Sequence, residues 1–303
     1  MRFWLEMPID AKKNQRTKFS NVIRCDSCNI GMLTPQPTPQ EIPELYILPE
    51  YYTHGQSHIR PVKSTLFDKA LTKIAWIFDN ATPFDPERTF ASLSPKTSVL
   101  DLGCGSGRLL EKCQQFGAEV VGVEPDPSAR EIAVKKGIRV IEGTAEQVPD
   151  QLSGQQFDLV LMTHTLEHCL NPRIALNNAF SFAKAGGIFY VEVPNCSCIH
   201  FEQLGICSEM FDSPRHLWFF SPAGLRKAVE SAGFVFSSFC FEGFTRHHSP
   251  SWRAWENTIA EQLAPYGLNA TRHTYFKSIK ILGKSLISAY SRRYDCVGIL
   301  ARK

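Results

Sequence analysis

An acidic residue and three glycines follow an apolar run in the segment "VLDLGCGSGRLL", residues 99 to 110. Glycines leave backbone amides open to a ligand, and the amino end of a following helix favours an anionic group. The segment is therefore typical of the loop with which a parallel sheet binds a nucleotide-like cofactor.

The spacing of the glycines distinguishes two cofactors. A dinucleotide loop has the pattern Gly-x-Gly-x-x-Gly, whereas here the glycines are Gly103, Gly105 and Gly107, and Arg108 stands where the third glycine would be. A carboxylate at Asp101 would repel a pyrophosphate, but it can attract the ammonium group of a methionine moiety. The loop therefore favours S-adenosylmethionine over NAD, and an NAD-dependent oxidoreductase is an alternative that depends on these two positions.

Further polar residues follow the next two predicted strands. Glu124 closes the second strand, where an acid can accept hydrogen bonds from both hydroxyls of a ribose, although NAD proteins share this feature. The third strand ends in "EGTAEQVP", where Thr144 and the backbone amide of Ala145 could contact an adenine edge. The order and spacing of these residues make the cofactor prediction stronger than any one of them.

Two histidines are candidates for a catalytic base. His168 lies in "THTLEH", at the exit of the fourth predicted strand, and His216 lies in "RHLWFF". Imidazole titrates closest to neutral pH, so either ring could remove a proton from an acceptor hydroxyl. In the structural alternative, His168 holds its loop through a backbone hydrogen bond and His216 is a packed core residue.

Short β-branched runs alternate with helical segments from about residue 97 onward, which predicts an α/β fold with a doubly wound, seven-stranded, mostly parallel sheet. The last two strands are expected to form a hairpin-like pair. The predicted organisation has four parts: an irregular N-terminal extension (1–60), a helical linker (61–94), the core (95–248 and 292–303) and a helical insertion or lid (249–291).

Over residues 95–240 the chain resembles the class I S-adenosylmethionine-dependent methyltransferases, through "VLDLGCGSGRLL", "VVGVEPDPSAR", "GTAEQVP", "FDLVLMTHTLEHCLNP" and "GGIFYVEVPN". "LEHCLNP" followed by "PRHLWFFSPAGLRKAVESAGF" is similar to the branch that contains the ubiquinone-biosynthesis O-methyltransferases. The resemblance implies contacts with S-adenosylmethionine at Asp101, Gly103, Gly105, Glu124, Thr144 and Ala145, and near His164.

The expected reaction is methylation of a small-molecule acceptor at oxygen. Carbon or nitrogen methylation of a sugar or another metabolite remains open, as does a non-catalytic scaffold that binds the cofactor. Nucleic acid is not an expected partner, because the net charge is only +3 and "THTL" occupies the position of the Asn/Asp-Pro-Pro-aromatic motif of base methylation.

Composition places the protein in the cytoplasm. The ten cysteines are scattered, which is typical of reduced thiols, and the N-terminal residues do not have the pattern of a signal peptide. No segment approaches 18 consecutive apolar residues, so no transmembrane helix is expected.

Cys25 and Cys28, in "RCDSCNIGMLTPQPTPQEIPELY", resemble half of a zinc ribbon. Tetrahedral zinc needs four ligands, and residues 1–24 contain neither Cys nor His. No spacing rule connects the pair with the distant Cys196, Cys198, Cys207 or His54. We therefore predict a degenerate half-site without zinc.

The segment "YFKSIKILGKSLISAY", residues 275–290, predicts a helix with one apolar stripe and one basic face. The stripe contains Phe276, Ile279, Leu282, Leu286 and Tyr290, and the basic face contains Lys277, Lys280 and Lys284. We expect a helix that covers the core with a solvated basic face. The alternative is a lid or docking surface for an anionic acceptor or a carrier.

Overall fold

The computed structural model describes residues 1–48, 58–91, 96–268 and 270–303, so His54 lies outside the described residues. The strands are β1 (Arg2–Glu6), β2 (Ile9–Asp10), β3 (Gln15–Arg16), β4 (Asn21–Arg24), β5 (Gly31–Thr34), β6 (Ser98–Leu102), β7 (Glu119–Glu124), β8 (Arg139–Glu142), β9 (Phe157–Thr163), β10 (Ala183–Pro194), β11 (Trp218–Phe219), β12 (Val235–Glu242) and β13 (Cys296–Arg302). The helices are α1 (Ile42–Leu45), α2 (Leu66–Ile77), α3 (Pro86–Ala91), α4 (Arg108–Gln115), α5 (Pro127–Lys135), α6 (Pro172–Phe182), α7 (Ile199–Leu204), α8 (Pro222–Ser231), α9 (Pro250–Leu263) and α10 (Tyr275–Ile287).

The central sheet has seven strands in the order β12-β13-β10-β9-β6-β7-β8. Strands β8, β7, β6, β9 and β10 are parallel, whereas β13 pairs antiparallel with both β10 and β12. The predicted seven-stranded, mostly parallel sheet with a hairpin-like final pair is confirmed. The chain leaves β6 toward β7 on one side and later returns to β9 on the other, and such a switch point is where open α/β sheets bind ligands.

Local sequence explains where the helices that flank this sheet begin. The Asp126 side chain accepts hydrogen bonds from the amides of Ser128 and Ala129, and Pro127 is the first residue of α5. Ser221 caps α8 in the same way, with Pro222 in its first position. Capping oxygens satisfy amides that have no partner inside the helix, and proline has no amide to lose there.

The N-terminal region differs from the irregular chain that we expected over residues 1–60. Strands β1, β4 and β5 form an antiparallel sheet that β11 completes, and β2 pairs with β3. These strands are short and turn-rich, so their alternation gives little signal in the sequence. They share a second apolar core with the segment after β10 and with the insertion, including Val22, Leu33, Phe211, Leu263 and Ile281.

The insertion contains α9 and α10, but α10 does not pack through the whole predicted stripe. Its buried residues are Ser278, Ile281, Leu282 and Ser285. Phe276 and Ile279 are 77% and 49% exposed, and Tyr290 is 38% exposed and lies beyond the end of α10, so the stripe prediction is wrong at these three positions. Ser278 is buried because its hydroxyl lies 2.8 Å from Nε2 of the buried His273, a partner that helical periodicity does not reveal.

The basic face of α10 is partly neutralised by a neighbouring acid. Lys284 lies 3.3 Å from Glu202, which also pairs with Arg292. The docking role for an anionic acceptor or carrier stays a prediction. Among the described helices, none is both long and apolar enough to cross a membrane.

Candidate cofactor and acceptor site

The glycine loop after β6 folds onto the end of β7. The amides of Gly103 and Cys104 both donate to the carbonyl oxygen of Val123, at 2.8 and 3.1 Å. The amide of Gly105 donates to Oε2 of Glu124 at 2.8 Å, and the amide of Asp126 donates to Oε1 at 2.9 Å. Glu124 therefore fixes the conformation of the loop through both of its carboxylate oxygens, and its contact with a ribose stays a prediction.

Asp101 presents a buried carboxylate beside Glu124. Its side chain is 1% exposed, and Oδ1 has no hydrogen-bond partner among the described residues. Burial, followed by the charge of Glu124, raises the pKa of Asp101 to about 7. A buried carboxylate oxygen without a donor is costly, and the ammonium group of S-adenosylmethionine would supply that donor. The residues around the loop therefore fit this cofactor.

Gly105 leaves open space on the ligand side of the loop. Its φ is +52°, and a Cβ placed on it would meet no atom within 4 Å. Gly103 behaves differently, because its Cβ would lie 2.2 Å from Oγ1 of Thr165 at the exit of β9. The loop after β6, which contains the glycines, is thus in close contact with the loop after β9, which leads to His168.

Replacing Gly105 with Val should weaken S-adenosylmethionine binding at least about tenfold, because the side chain would fill the cradle. Both this variant and Gly117→Val strain a residue with positive φ at a cost on the order of 1–2 kcal/mol. Gly117 has φ +83° and the same open surroundings, but it lies between α4 and β7. Calorimetry should therefore find the loss of affinity in Gly105→Val alone. Equal losses in the two variants would contradict the prediction that Gly105 borders the bound cofactor.

The loop after β8 is held by its own turn and by α6. Oγ1 of Thr144 accepts the amide of Gln147 at 2.9 Å, and the carbonyl of Ala145 accepts the side-chain amide of Asn178 at 2.9 Å. The carboxylate of Glu146 accepts the amides of Leu170 and Asn171, at 3.0 and 2.8 Å, and so ties this loop to the one after β9. Asn178 and Glu146 thus hold the loop that contains Thr144 and Ala145, and sequence reasoning did not single them out. The adenine contacts of Thr144 and Ala145 stay a prediction.

The structure brings His168 and His216 together. Their rings meet edge to face with centroids 4.8 Å apart. Ligand atoms of Glu167, His168 and His216 all lie within 4.8 Å of one another, an arrangement that could also hold a metal ion. Glu167 is fully buried, and its Oε2 has no hydrogen-bond partner in the described part of the chain. Sequence reasoning missed Glu167, although it lies directly beside His168.

Both imidazoles are oriented by backbone carbonyls. Nδ1 of His216 lies 3.0 Å from the carbonyl oxygen of Met210, and Nδ1 of His168 lies 3.0 Å from that of Arg215 and 2.9 Å from the hydroxyl of Tyr46. Because a carbonyl can only accept, we assign the proton of each ring to Nδ1, which leaves Nε2 as the acceptor. Burial, followed by the nearby His168, lowers the pKa of His216 to about 4, so its ring is neutral at pH 7.

Glu167 is ionised beside these rings. Burial by itself raises the pKa of Glu167, but its hydrogen bond with His164 and the charges of His168 and His164 bring it below the usual value. A carboxylate of this kind stabilises an imidazolium when an imidazole takes a proton. The arrangement can therefore accept one proton at the exit of β9.

His164 lies in the turn that directly follows β9. It has φ +51°, and its Nδ1 and Nε2 lie 3.3 Å from Glu167 and 3.4 Å from Glu192. Although the side chain is 44% exposed, interactions with Cys296, Glu167 and Glu192 raise the pKa of His164 well above its usual value. The expected cofactor contact near His164 stays a prediction.

Cys25 and Cys28 lie apart from this site, in the turn between β4 and β5. Sγ of Cys25 is 3.1 Å from the hydroxyl of Ser27, and hydrogen bonds with Ser27 and Cys28 lower the pKa of Cys25 to about 6. Within the described ranges, the two cysteines share no compact group with a third His, Cys, Asp or Glu donor. The absence of zinc at this pair stays a prediction.

The sheet order and the glycine loop define the fold of a class I S-adenosylmethionine-dependent methyltransferase. The family model of the methyltransferase domain matches residues 79–238, more than half of the chain. The protein therefore belongs to the methyltransferase domain family. This membership confirms the resemblance inferred from the sequence and implies S-adenosylmethionine as the cofactor.

Two curated relatives illustrate the similarity. The ubiquinone biosynthesis O-methyltransferase of Azorhizobium caulinodans is 34% identical over 151 residues, which cover 46% of this chain and 59% of that protein. Its counterpart from Methylobacterium nodulans is 34% identical over 148 residues, covering 45% and 59%. The chain thus spans about three fifths of the length of the curated relatives that it matches.

A solved structure supports the fold. The crystal structure of a proposed sarcosine dimethylglycine methyltransferase from Galdieria sulphuraria aligns with a TM-score of 0.50, covering 83% of this chain and 96% of that chain. The sequences are 12% identical, so the likeness concerns the fold alone.

Proposed function

We propose that this protein transfers a methyl group from S-adenosylmethionine to a hydroxyl oxygen of a small molecule. The observation that supports the proposal is the close approach of Gly103 to Thr165, because it brings the glycine loop after β6 against the loop that leads from β9 to Glu167 and His168. A cofactor-binding loop and a proton acceptor at one sheet edge are what such a reaction requires.

On the cofactor side, each predicted residue has a distinct role. Glu124 accepts hydrogen bonds from the ribose hydroxyls, Asp101 accepts one from the ammonium group, and Thr144 and Ala145 line the adenine edge. When bound, the cofactor supplies a methyl group already attached to a positively charged sulfur, which is a good leaving group. The protein does not need to activate the donor further, so its remaining task is to orient the acceptor and remove its proton.

On the acceptor side, Nε2 of one of the two imidazoles takes the hydroxyl proton. Removal of this proton increases the nucleophilicity of the oxygen, and Glu167 stabilises the resulting imidazolium. A neutral amine or a nucleophilic carbon would use the same cofactor loop, but two imidazoles beside a carboxylate favour a hydroxyl, whose proton an imidazole can accept. The O-methyltransferase relatives support this choice of acceptor.

A screen with labelled methyl donor tests the proposal. Phenols, catechols, sugars, amines and activated carbon acids should be compared as acceptors, and we expect incorporation into hydroxyl compounds. Calorimetry should detect S-adenosylmethionine and S-adenosylhomocysteine but not NAD. Labelling of amines or carbon acids alone would overturn oxygen as the acceptor, and binding without any transfer would favour a scaffold.

Replacing Glu124 with Gln should weaken S-adenosylmethionine binding about tenfold, since hydrogen bonds to a charged acceptor are stronger than those to a neutral one by roughly 1.4 kcal/mol. The single amide oxygen of Gln can accept from Gly105 or from Asp126 but not from both, so the Tm of this variant must be compared with that of the wild type. Glu142→Gln is the matched control, because Glu142 ends the next strand, β8, with a side chain that is 77% exposed. Calorimetry that finds the same affinity for both variants would remove Glu124 from the cofactor site.

A further inference from the structure

A second group of histidines is buried far along the chain from the residues of the proposed reaction. His200 is on α7, Glu256 is on α9, and His273 directly precedes the capping residue of α10. All three side chains are 0% exposed, and one ligand atom from each lies within 4.8 Å of the others. The group therefore joins the insertion to the segment that follows β10.

The two imidazoles face the same carboxylate. Nε2 of His200 lies 2.9 Å from Oε1 of Glu256, and Nδ1 of His273 lies 2.5 Å from Oε2. Despite the short distance, Nε2 of His200 has no well-directed hydrogen bond within the described residues. A fully buried ring nitrogen without a hydrogen bond is unfavourable unless another group occupies its lone pair.

The opposite nitrogen of each ring contacts a serine. Nδ1 of His200 lies 3.4 Å from the hydroxyl of Ser208, and Nε2 of His273 lies 2.8 Å from that of Ser278. Histidines that bind metal ions use one nitrogen as the ligand and donate a hydrogen bond from the other, which fixes the tautomer and the ring orientation. Both rings match this pattern.

The two arginines nearest in sequence to Glu256 and His247 form ion pairs with other carboxylates and not with Glu256. Arg246 pairs with Asp295, and Arg253 pairs with Asp68. In the described part of the chain, the ion pairs of Glu256 are those with the two histidines. Oε1 of Glu256 also accepts the indole N–H of Trp252 at 3.1 Å and the amide of Glu209 at 3.5 Å. A buried carboxylate paired with two imidazoles is a suitable ligand set for a divalent transition-metal ion.

A further neutral donor lies nearby. His248 is 0% exposed, and neither of its ring nitrogens has a hydrogen bond within the described ranges. Burial, and then the neighbouring His247, His200 and His273, lower its pKa well below the usual value, so the ring is neutral. His247 covers one face of His200, with ring centroids 3.8 Å apart.

We propose that His200, Glu256 and His273 bind a divalent transition-metal ion, such as zinc, that anchors the helical insertion to the core. In a tetrahedral site with bonds of about 2.0–2.1 Å, ligand atoms lie roughly 3.3 Å apart, so the group needs to open by less than about 1 Å. The fourth position is open to a water molecule. The role is structural, and the site is separate from Cys25 and Cys28.

The test uses the whole chain, freed of metal by dialysis against a chelator and then titrated with zinc or cobalt. We expect one equivalent of zinc, a rise of several degrees in Tm, and visible cobalt bands of tetrahedral type without a thiolate charge-transfer band. Glu256→Gln and His273→Gln should each abolish the bands and the rise in Tm. Both substitutes retain an amide that can hydrogen-bond to the neighbours, so at least one is expected to fold.

Matched variants distinguish this group from the other candidate donors. Two control proteins should keep the metal and the cobalt bands. One is the double variant Cys25→Ser with Cys28→Ser, and the other is Glu167→Gln. The proposal is overturned if the folded wild type binds no metal, if folded Glu256→Gln or His273→Gln retains it, or if either control loses it. A cobalt spectrum with a thiolate band would also overturn it.

Discussion

Replacing both His168 and His216 with Gln should lower kcat for the acceptor found in the screen about 1000-fold, within the range that a positioned base contributes. Each single variant should lose less, because the other ring remains 4.8 Å away and can take the proton. The affinity for S-adenosylmethionine should change by no more than about twofold, since neither ring belongs to the glycine loop. Steady-state kinetics with calorimetry on the same preparations provides both numbers.

Tyr46→Phe is the control, because it changes a contact of His168 while both imidazole rings remain in place. It removes a hydroxyl that lies 2.9 Å from Nδ1 of His168, while the carbonyl of Arg215 stays 3.0 Å from that nitrogen. We expect its effect on kcat to be less than about tenfold, because the ring keeps one of its two Nδ1 partners. If the double variant retains more than a tenth of wild-type kcat, the histidines are structural and the base must be sought elsewhere.

Replacing Arg215 with Met should lower the free energy of unfolding by about 3–5 kcal/mol, because a buried ion pair that loses one member leaves an uncompensated charge. The Arg215 side chain is 0% exposed and bonds to both carboxylate oxygens of Asp10 at 2.8 Å. It also contacts Asp212 and the carbonyl of Leu45. Denaturant unfolding at pH 7 measures the loss.

Arg226→Met is the matched control for this variant. Arg226 and Glu230 form an exposed pair four residues apart on α8, with side chains 48% and 42% exposed. Exposed pairs of this kind contribute about 0.3–0.5 kcal/mol, so the control should be almost as stable as the wild type. A loss below about 1 kcal/mol for Arg215→Met would show that the two carboxylates find other partners.

The same network predicts how stability depends on pH. Burial raises the pKa of Asp212, but Arg215 and then Lys12 outweigh that effect and hold it well below its usual range. A carboxyl whose pKa is lowered in the folded state stabilises the protein above its unfolded pKa, and this contribution is lost as the pH falls below it. Arg215→Met should therefore lose less stability than the wild type on acidification.

Arg215 also connects stability with the proposed site. Its side chain joins the N-terminal Asp10 to the core, and its backbone carbonyl orients His168. No spacing rule relates Asp10, Arg215 and His168, so the sequence contained no signal for this arrangement. His216, in contrast, was recognised because an imidazole beside aromatic residues is visible in the sequence itself.

The central fold and the cofactor loop could be predicted because their signals are local. Strands β6 to β10 follow from β-branched runs, α5 and α8 follow from Asp126-Pro127 and Ser221-Pro222, and the loop follows from the glycines after Asp101. Each signal acts within a few residues, since caps, turns and periodicity depend on neighbouring backbone groups. Family membership agrees with these predictions.

The tertiary structure alone decided which distant residues meet. It paired the N-terminal strands with β11, chose the face of α10 that is buried, and assembled Glu167 with His168 and His216. It also gathered His200, Glu256 and His273 from three separate segments. These contacts depend on how whole elements pack, and burial of apolar surface drives that packing without any fixed spacing in the chain.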